Sequence, residues 1–309
     1  MATLAEKLEA GRKVVTAELP AIDGGGVAEV EQLLAPMRDW VDAVNATDNT
    51  AAHAHASPLA ISIAMRQAGV EPIMQLVCRD RNALALEADI VGAAMHGIEN
   101  ILCLTGDDVT AGDEPDAARV FELNGTELVG LAKTLSEGSY RSGRALSPAP
   151  RLFIGAVESA APPPIEDRVQ RALTKANAGA RFLQLQISFV PELLEEFVAG
   201  CADAGVTAAL LPSITLLGSA RGLRFMDEKV AGVDVPPAIH DRVGAANDHG
   251  AALLDLAAEQ ARHALSLPGV AGLHLISFRK DDAIAQLCQR LDLAPTAERD
   301  HAHDPAVTL

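Results

Sequence analysis

Short apolar runs alternate with longer amphipathic segments along nearly the whole chain. The apolar runs are rich in Val, Ile, Leu and Ala and end in glycine or polar residues, which is typical of strands buried in a parallel sheet. They predict strands at 13–19, 41–46, 72–77, 101–104, 152–157, 182–186, 206–211 and 270–276. Helical spacing and helix start signals predict helices at 27–38, from 57, 82–96, 126–136, 164–178, 191–204, from 217, 248–267 and 281–291.

This alternation predicts an α/β fold, a (β/α)8 TIM barrel in a single domain. The repeat of roughly 25–50 residues fits a barrel unit. A doubly wound sheet is the alternative, but no G-x-G-x-x-G follows the first strand. The segments 137–150 and 232–237 are short enough to be barrel loops. We therefore predict a catalytic barrel domain over residues 1–293 and a polar, frayed C-terminal tail over 294–309.

Composition limits the partners that this chain can have. Of the 309 residues, 49% are hydrophobic and only 3% aromatic, so the core must consist of aliphatic side chains. The net charge of −17 argues against nucleic acid and against anionic membrane surfaces. No leader-like start and no apolar stretch of membrane-spanning length is present, so we expect a soluble, cytoplasmic protein.

The cysteines and histidines do not form a metal-binding pattern. Cys78, Cys103, Cys201 and Cys288 are scattered, and the first two fall in or at the end of apolar runs. They are interpreted as buried thiols in a reducing compartment. The tail carries His301 and His303, which are interpreted as solvated, so we predict no metal site.

Three acids stand at the carboxyl ends of two predicted strands, where barrels bind ligands and do chemistry. Glu18 follows an apolar run, so desolvation is expected to raise its pKa into the range of a general acid. A rim Glu paired with Arg or Lys is the alternative. Asp107 and Asp108 follow Gly106 after the fourth run. Their alternative role is to cap the next helix in a surface turn.

Gln184 and Gln186 alternate along the sixth strand and must point to the same side of it. Facing outward, both amides would be buried against helices without partners, which is unfavourable. Facing inward, they could hydrogen-bond the edge of a heterocycle. We therefore predict that both residues bind substrate.

Seven short motifs lie in or beside the predicted strands: VTAELP at 15–20, NATD at 45–48, CRDRN at 78–82, LTGD at 104–107, KANAGA at 175–180, QLQ at 184–186 and GLHL at 272–275. With these motifs the chain resembles the methylenetetrahydrofolate reductase family over about residues 10–292. Members of this family are flavin-dependent barrels that reduce 5,10-methylenetetrahydrofolate to 5-methyltetrahydrofolate.

The resemblance implies roles for the candidate residues. Glu18 matches the general acid that opens the methylene bridge to an iminium, and Gln186 matches the folate-binding glutamine. Asp107 matches the aspartate between the flavin and the folate, which implies roles in catalysis, in substrate binding and in cofactor binding. The other positions implied at the FAD are Thr47, Gln75, Thr105, Gly106 and Lys175. NADH or NADPH is the implied hydride donor.

Departures from the family pattern concentrate at the flavin. Thr105 stands where Arg is frequent, Val157 where an aromatic residue often packs on the cofactor, and no Phe lies near 216–220. We therefore expect FAD to be held weakly or not at all, with hydride transfer through FAD or directly from NAD(P)H.

Two other functions compete with the reductase. The first is a folate-binding barrel that acts as a subunit or regulator without reductase activity. The second is a one-carbon transferase, which would need an activating group that the sequence does not show. A homo-oligomer is compatible with the apolar helices and with the family resemblance. The sequence does not distinguish NADH from NADPH.

Overall fold

The computed structural model describes residues 2–230, 232–278 and 282–302. Eight parallel strands form a closed barrel in the order of the chain, which confirms the predicted single-domain (β/α)8 fold. The strands are β1 (Val14–Glu18), β2 (Ala43–Ala46), β3 (Pro72–Val77), β4 (Asn100–Leu104), β5 (Phe153–Glu158), β6 (Phe182–Leu185), β7 (Ala209–Leu216) and β8 (Gly272–Ser277).

Helices cover the outside of the barrel and its amino-terminal end. They are α1 (Leu4–Glu9), α2 (Val27–Leu34), α3 (Pro58–Gln67), α4 (Ala83–Met95), α5 (Gly125–Ser136), α6 (Ile165–Ala178), α7 (Pro191–Asp203), α8 (Ala220–Lys229), α9 (Pro237–Ala245), α10 (His249–Ser266), α11 (Ala283–Arg290) and α12 (Thr296–Ala302). Within the described part of the chain, no helix is both long and apolar enough to cross a membrane. Each of the four cysteines is buried and unpaired, as expected for Cys78 and Cys103.

The alternation of side chains along each strand separates two cores. On β1, Val15 and Ala17 face outward and join an aliphatic cluster with the helices. Val14 faces inward and joins a second cluster inside the barrel. Because alternate residues of a strand point to opposite faces, Thr16 and Glu18 continue the inward row above Val14.

The lower part of the barrel interior is closed by apolar side chains. Phe153 and Phe182 stack there with ring centroids 5.3 Å apart. Gly155 makes this possible, since a Cβ at that position would lie 2.2 Å from Cζ of Phe182. Leu4 of α1 packs into the same cluster from below. Among the described residues, the amino-terminal end of the interior is thus filled, which leaves the carboxyl end for a ligand, as in other barrels of this class.

The predicted bounds of the seventh strand were wrong. The strand was expected to end at Leu211, before Pro212, but β7 continues to Leu216. Pro212 is tolerated because pairing with β6 ends at that residue. From Ser213 onward β7 pairs with β8 instead, so the missing N–H breaks no ladder there. Ser213 consequently lies within the strand, and Thr215 becomes the inward-facing residue near its end.

The tail was expected to be frayed, and this is wrong for its first part. Residues Thr296–Ala302 form α12. Arg299 Nη1 lies 3.2 Å from Asp42 Oδ2, and Asp300 Oδ1 lies 2.7 Å from Arg12 Nη2. A polar segment is ordered here because its charges meet buried partners on the barrel. The boundary between barrel domain and tail at residue 293 remains a prediction.

The tail histidines give no further information about a metal. The side chain of His301 and the whole of His303 lie outside the described residues. Over the remaining described side chains, no group of three or more His, Cys, Asp or Glu could hold a metal ion.

Candidate active site at the carboxyl mouth of the barrel

Glu18 lies at the end of β1 and is partly accessible from the barrel mouth. Gln75 of β3 donates from Nε2 to Glu18 Oε2 at 3.4 Å. Desolvation raises the pKa of Glu18 from 4.5 to about 7, and the hydrogen bond from Gln75 offsets only part of this. Within the described ranges no Lys or Arg forms an ion pair with it. Near neutral pH the group is therefore divided between acid and carboxylate, which suits a general acid.

A layer of paired polar side chains forms the floor beneath Glu18. Asn45 Nδ2 donates to Gln184 Oε1 at 2.7 Å, and Gln184 Nε2 donates back to Asn45 Oδ1 at 3.1 Å. Thr16 Oγ1 lies 3.0 Å from Nδ1 of His274, whose pKa burial lowers to about 3. The imidazole is consequently neutral. These residues satisfy one another inside the barrel.

This floor changes the interpretation of Gln184. The side chain does face inward, as its alternation with Gln186 indicated. However, it is only 3% exposed and its amide is committed to Asn45. The structure therefore does not support the predicted substrate contact of Gln184. The sequence could not indicate this, because it does not show that the amide of Asn45 on β2 lies opposite Gln184.

Gln186 and Asp107 lie exposed on the rim, where a ligand in the mouth could reach them. Gln186 is just beyond β6, and its Oε1 accepts from the backbone N–H of Ile187 at 3.0 Å. Asp107 follows β4, and within the described chain its carboxylate makes no hydrogen bond or ion pair. Both retain polar groups that are not used by the fold, as expected for ligand-binding positions.

The two residues before Asp107 serve the backbone. Thr105 Oγ1 accepts from the N–H of Gly125 at 2.9 Å and so contacts the start of α5. Gly106 has a φ of +93°, and a Cβ there would lie 3.1 Å from Cβ of Val77. The glycine is needed because the chain passes close to β3 in a left-handed conformation. The cofactor contacts predicted for both residues remain predictions.

Lys175 is held behind β5. Its Nζ lies 2.7 Å from Glu158 Oε2 and donates to the Val157 carbonyl, also at 2.7 Å. Arg171 lies 3.4 Å from the other oxygen of the same carboxylate. Lys175 is therefore already paired, which weakens its predicted role at cofactor phosphates. Thr47, predicted near the flavin, is buried just beyond β2.

Arg79 belongs to the CRDRN motif, from which no role was predicted for it, and among the described residues it is the largest fully buried side chain. It is 2% exposed, with its Nε 2.7 Å and Nη2 2.8 Å from the two carboxylate oxygens of Asp80. Nη1 donates to the Asp107 carbonyl at 3.3 Å, and Nη2 to the Asn49 carbonyl at 3.1 Å. The inward row 73, 75, 77 of β3 could have indicated it, since residue 79 continues that row.

A second concavity lies away from the predicted site residues. It is a groove of about 570 Å³ lined by parts of α2 and α3 and by the 24–26 glycine loop. His55 and Asp23 pair beside it, with Nδ1 and Oδ1 2.7 Å apart. Because none of the candidate residues lines this groove, the barrel mouth remains the candidate active site.

The comparison with known families agrees with the order of the motifs. A family model described as methylenetetrahydrofolate reductase matches residues 4–292. This range begins in α1, includes all eight strands and ends after α11. Almost the whole barrel is thus covered by one family.

A solved structure with a similar fold comes from Clostridium thermocellum. It is described as an uncharacterized protein that binds two copies of 5-methyl-5,6,7,8-tetrahydrofolic acid. The alignment covers 94% of this chain and 98% of that chain, with a TM-score of 0.66 and 13% sequence identity. At this identity the likeness shows the fold alone.

Proposed function

Because the chain belongs to the methylenetetrahydrofolate reductase family, we propose that it binds a reduced folate at the barrel mouth and reduces it. The substrate in this proposal is 5,10-methylenetetrahydrofolate, the product is 5-methyltetrahydrofolate, and NADH or NADPH supplies the hydride. The observation that carries the proposal is Glu18, an acid with a pKa of about 7 at the mouth of an otherwise apolar strand. Simple binding of a folate would not need such an acid.

Glu18 would act as the proton donor. Protonation at N10 lets the bond from the methylene carbon to N10 break, so that its electron pair stays on N10. The methylene carbon remains attached to N5 as an iminium. A hydride added to that carbon gives the 5-methyl group and oxidises NAD(P)H to NAD(P)⁺. Gln75 orients the carboxyl by its hydrogen bond to Oε2.

The exposed rim residues are the proposed folate contacts. Asp107 and Gln186 present carboxylate and amide groups that can pair with the donors and acceptors of a pterin ring. The Clostridium thermocellum protein that shares the fold binds 5-methyltetrahydrofolate, which makes a reduced folate the ligand to test first. A related pterin would offer the same ring edge.

The described residues do not fit a tightly held FAD. A cation holds a diphosphate tightly, but Lys175 is paired with Glu158 and Arg79 with Asp80. Arg81 is likewise paired with Asp48 and Asp89. The inward position on β5 that could stack a flavin is Val157. We therefore propose that any FAD is exchangeable, and that the hydride reaches the substrate directly or after transient flavin binding.

The pairing of these basic side chains with carboxylates favours a second candidate function. A nicotinamide cofactor also carries a diphosphate, and within the described residues these cations near the mouth are already neutralised. A folate-binding barrel that serves as a subunit or regulator would need no such cation. The two functions share the ligand and differ in turnover.

A turnover assay separates them. The protein is mixed with 5,10-methylenetetrahydrofolate and NADH or NADPH, with and without added FAD, and the 5-methyltetrahydrofolate formed is quantified. We expect turnover, and a loss of roughly 10²–10⁴-fold in Glu18→Gln. Glu31→Gln, on the exposed side of α2, is the control. Turnover of Glu18→Gln within about threefold of wild type would remove the acid assignment.

Calorimetric titration with 5-methyltetrahydrofolate completes the test. Binding without turnover under any condition would establish the binding subunit instead of the reductase. Failure of the wild type to bind would overturn both candidates. A homo-oligomer and a cytoplasmic location belong to the same proposal; the location is supported by four buried, unpaired thiols.

A further inference from the structure

The loops that follow β2, β3 and β4 meet at one guanidinium group. Arg79, just after β3, donates to the carbonyl of Asn49 after β2 and to the carbonyl of Asp107 after β4. β2 and β4 are the two neighbours of β3 in the barrel. The side chain therefore spans three adjacent strand ends from the middle one.

Asp80 fixes the guanidinium in this position. Its two oxygens accept from Nε and Nη2 of Arg79, and Oδ2 also accepts from Asn49 Nδ2 at 3.0 Å. Desolvation raises the pKa of Asp80, but the hydrogen bonds from Arg79 and Asn49 outweigh it and lower the pKa overall. The pKa of Arg79 is raised chiefly by its hydrogen bonds to Asp80. Both groups are thus charged at any working pH.

The backbone around this group is held in unusual conformations. Asn49, Ala51 and Ala52 have φ values of 44°, 53° and 60°, which alanine rarely adopts. The loop after β4 presses on this segment, since a Cβ on Gly112 would lie 1.8 Å from the Ala52 carbonyl oxygen. Such strain persists only where the surroundings fix the chain, and it clusters at ligand sites.

Gly106 lets the loop after β4 pass close to Arg79. A Cβ on Gly106 would lie 3.2 Å from Cβ of Arg79, so glycine lets the loop approach the base of that side chain. The guanidinium then donates a hydrogen bond to the next carbonyl along the loop, that of Asp107. The Asp107 carboxylate makes no hydrogen bond or ion pair in the described chain, so the clamped backbone and the nearby positive charge of Arg79 determine where it projects.

We propose that Arg79 is the positioning residue of the ligand site: it clamps the Asp107 backbone and thereby places the Asp107 carboxylate against the bound reduced folate. This inference rests on the proposed function for the identity of the ligand. The clamp itself acts through the backbone carbonyls of Asp107 and Asn49. Arg79 does not touch the ligand in this role.

The test compares Arg79→Lys with Arg119→Lys. Lysine keeps the charge but lacks the planar fork that pairs with Asp80 and reaches two carbonyls. Arg119 lies on the same loop as Asp107 and pairs with Asp108 at 2.7 Å, but it is exposed, which makes it the matched control. For 5-methyltetrahydrofolate we expect Arg79→Lys to raise Kd about tenfold or more, and Arg119→Lys to leave it unchanged.

A double-mutant cycle with Asp107→Ala separates positioning from general loss of structure. If Arg79 acts through the Asp107 carboxylate, Arg79→Lys changes Kd by less than about twofold once that carboxylate is absent. The same fold-change in both backgrounds, or an unchanged Kd in Arg79→Lys, would overturn the proposal. If Arg79→Lys does not fold, Gly106→Ala replaces it in the cycle. The proposal then requires that Gly106→Ala raise Kd in the wild-type background and change it by less than about twofold in the Asp107→Ala background.

Hydrogen exchange tests the clamp without any ligand. Amides of residues 105–112 and 49–53 should exchange faster in Arg79→Lys than in wild type and Arg119→Lys. If the wild type does not bind 5-methyltetrahydrofolate, the proposed function fails. Hydrogen exchange then still tests whether Arg79 holds the two backbone segments. Unchanged exchange in both segments would refute it.

Discussion

At the scale of single residues, Glu18 lowers the stability of the barrel at alkaline pH. Its pKa is about 7 in the folded protein and 4.5 in an ordinary environment. The folded state therefore prefers the protonated acid, and ionisation of the unfolded chain favours unfolding as pH rises from 4.5 to 7. Below that window the group is protonated in both states and has no effect. An acid with a raised pKa at this position thus lowers stability near neutral pH.

We predict that Glu18→Gln stabilises the protein more at pH 8 than at pH 5. The neutral amide removes the ionisation, and the difference in the free energy of unfolding should be about 1–2 kcal/mol after allowance for the partial exposure of Glu18. Urea denaturation at the two pH values measures it, with Glu31→Gln as control. An equal effect at both pH values would mean that the pKa of Glu18 is not raised.

We predict that Gln184 of β6 contributes to stability, whereas Gln186, just beyond β6, contributes to ligand binding. Gln184→Met leaves Asn45 without its partner inside the barrel and should cost about 1–3 kcal/mol in the free energy of unfolding. Its Kd for 5-methyltetrahydrofolate should stay close to that of wild type. Gln186→Met should leave stability unchanged and weaken binding by about threefold to tenfold. The opposite pattern would return Gln184 to the ligand site.

At the scale of elements, α12 is held on the barrel by buried charges. Asp42, at the start of β2, accepts from Lys7 of α1 at 2.8 Å and from Arg299 of α12 at 3.2 Å. It also accepts from the N–H of Val15 at 2.7 Å. Lys7 lies 3.1 Å from Asp300 as well. One carboxylate therefore links α1, β1 and α12 at the amino-terminal end of the barrel, opposite the candidate site.

We predict that Asp42→Asn lowers the free energy of unfolding by about 3–5 kcal/mol, because it removes the fully buried carboxylate that pairs with both Lys7 and Arg299 and leaves Lys7 with Asp300 alone. Glu259→Gln is the control, since its pair with Arg242 is largely exposed and should contribute about 0–1 kcal/mol. Urea denaturation measures both. Binding of 5-methyltetrahydrofolate should be unaffected in either variant. A cost for Asp42→Asn no larger than that of the control would show that this network does not hold α12.

At the scale of the whole molecule, an excess of acids shapes what the mouth can hold. The chain has 42 Asp and Glu against 25 Lys and Arg. Carboxylates are therefore available to pair the basic side chains near the mouth, as seen for Arg79, Arg81 and Lys175. A diphosphate would have to compete with a carboxylate that is already in place. This disfavours tight binding of FAD and leaves a neutral pterin ring unaffected.

We predict that the purified protein carries FAD substoichiometrically or not at all, while the barrel still folds. Absorbance bands at about 370 and 450 nm report bound flavin. After FAD is added, gel filtration and dialysis should remove it, because a lost charge-assisted hydrogen bond and a lost aromatic contact together weaken affinity by roughly a hundredfold. Yellow protein that stays stoichiometric through both steps would contradict this prediction.

The sequence by itself determined the barrel and its family, and it placed the candidate site residues at one end of the barrel. Hydrophobic periodicity is a local property, so it located seven strands closely and put Glu18, Asp107 and Gln186 at carboxyl ends. Closure of parallel strands then brings those ends together whatever the loops do. The seventh strand was predicted to end at Leu211, but β7 continues to Leu216 because its pairing passes from β6 to β8 after Pro212, and that change of partner is not a local property of the sequence.

Only the tertiary structure decided which polar groups remain for a ligand. Gln184 was drawn into the floor by Asn45, which is 139 residues away, and Lys175 was neutralised by Glu158 across α6 and β5. Arg79 became the link between three loops, and α12 became ordered on Asp42. A polar side chain has the same local pattern whether its partner is a protein group or a substrate. Which of them it meets depends on distances between elements far apart in the chain, and these exist only after folding.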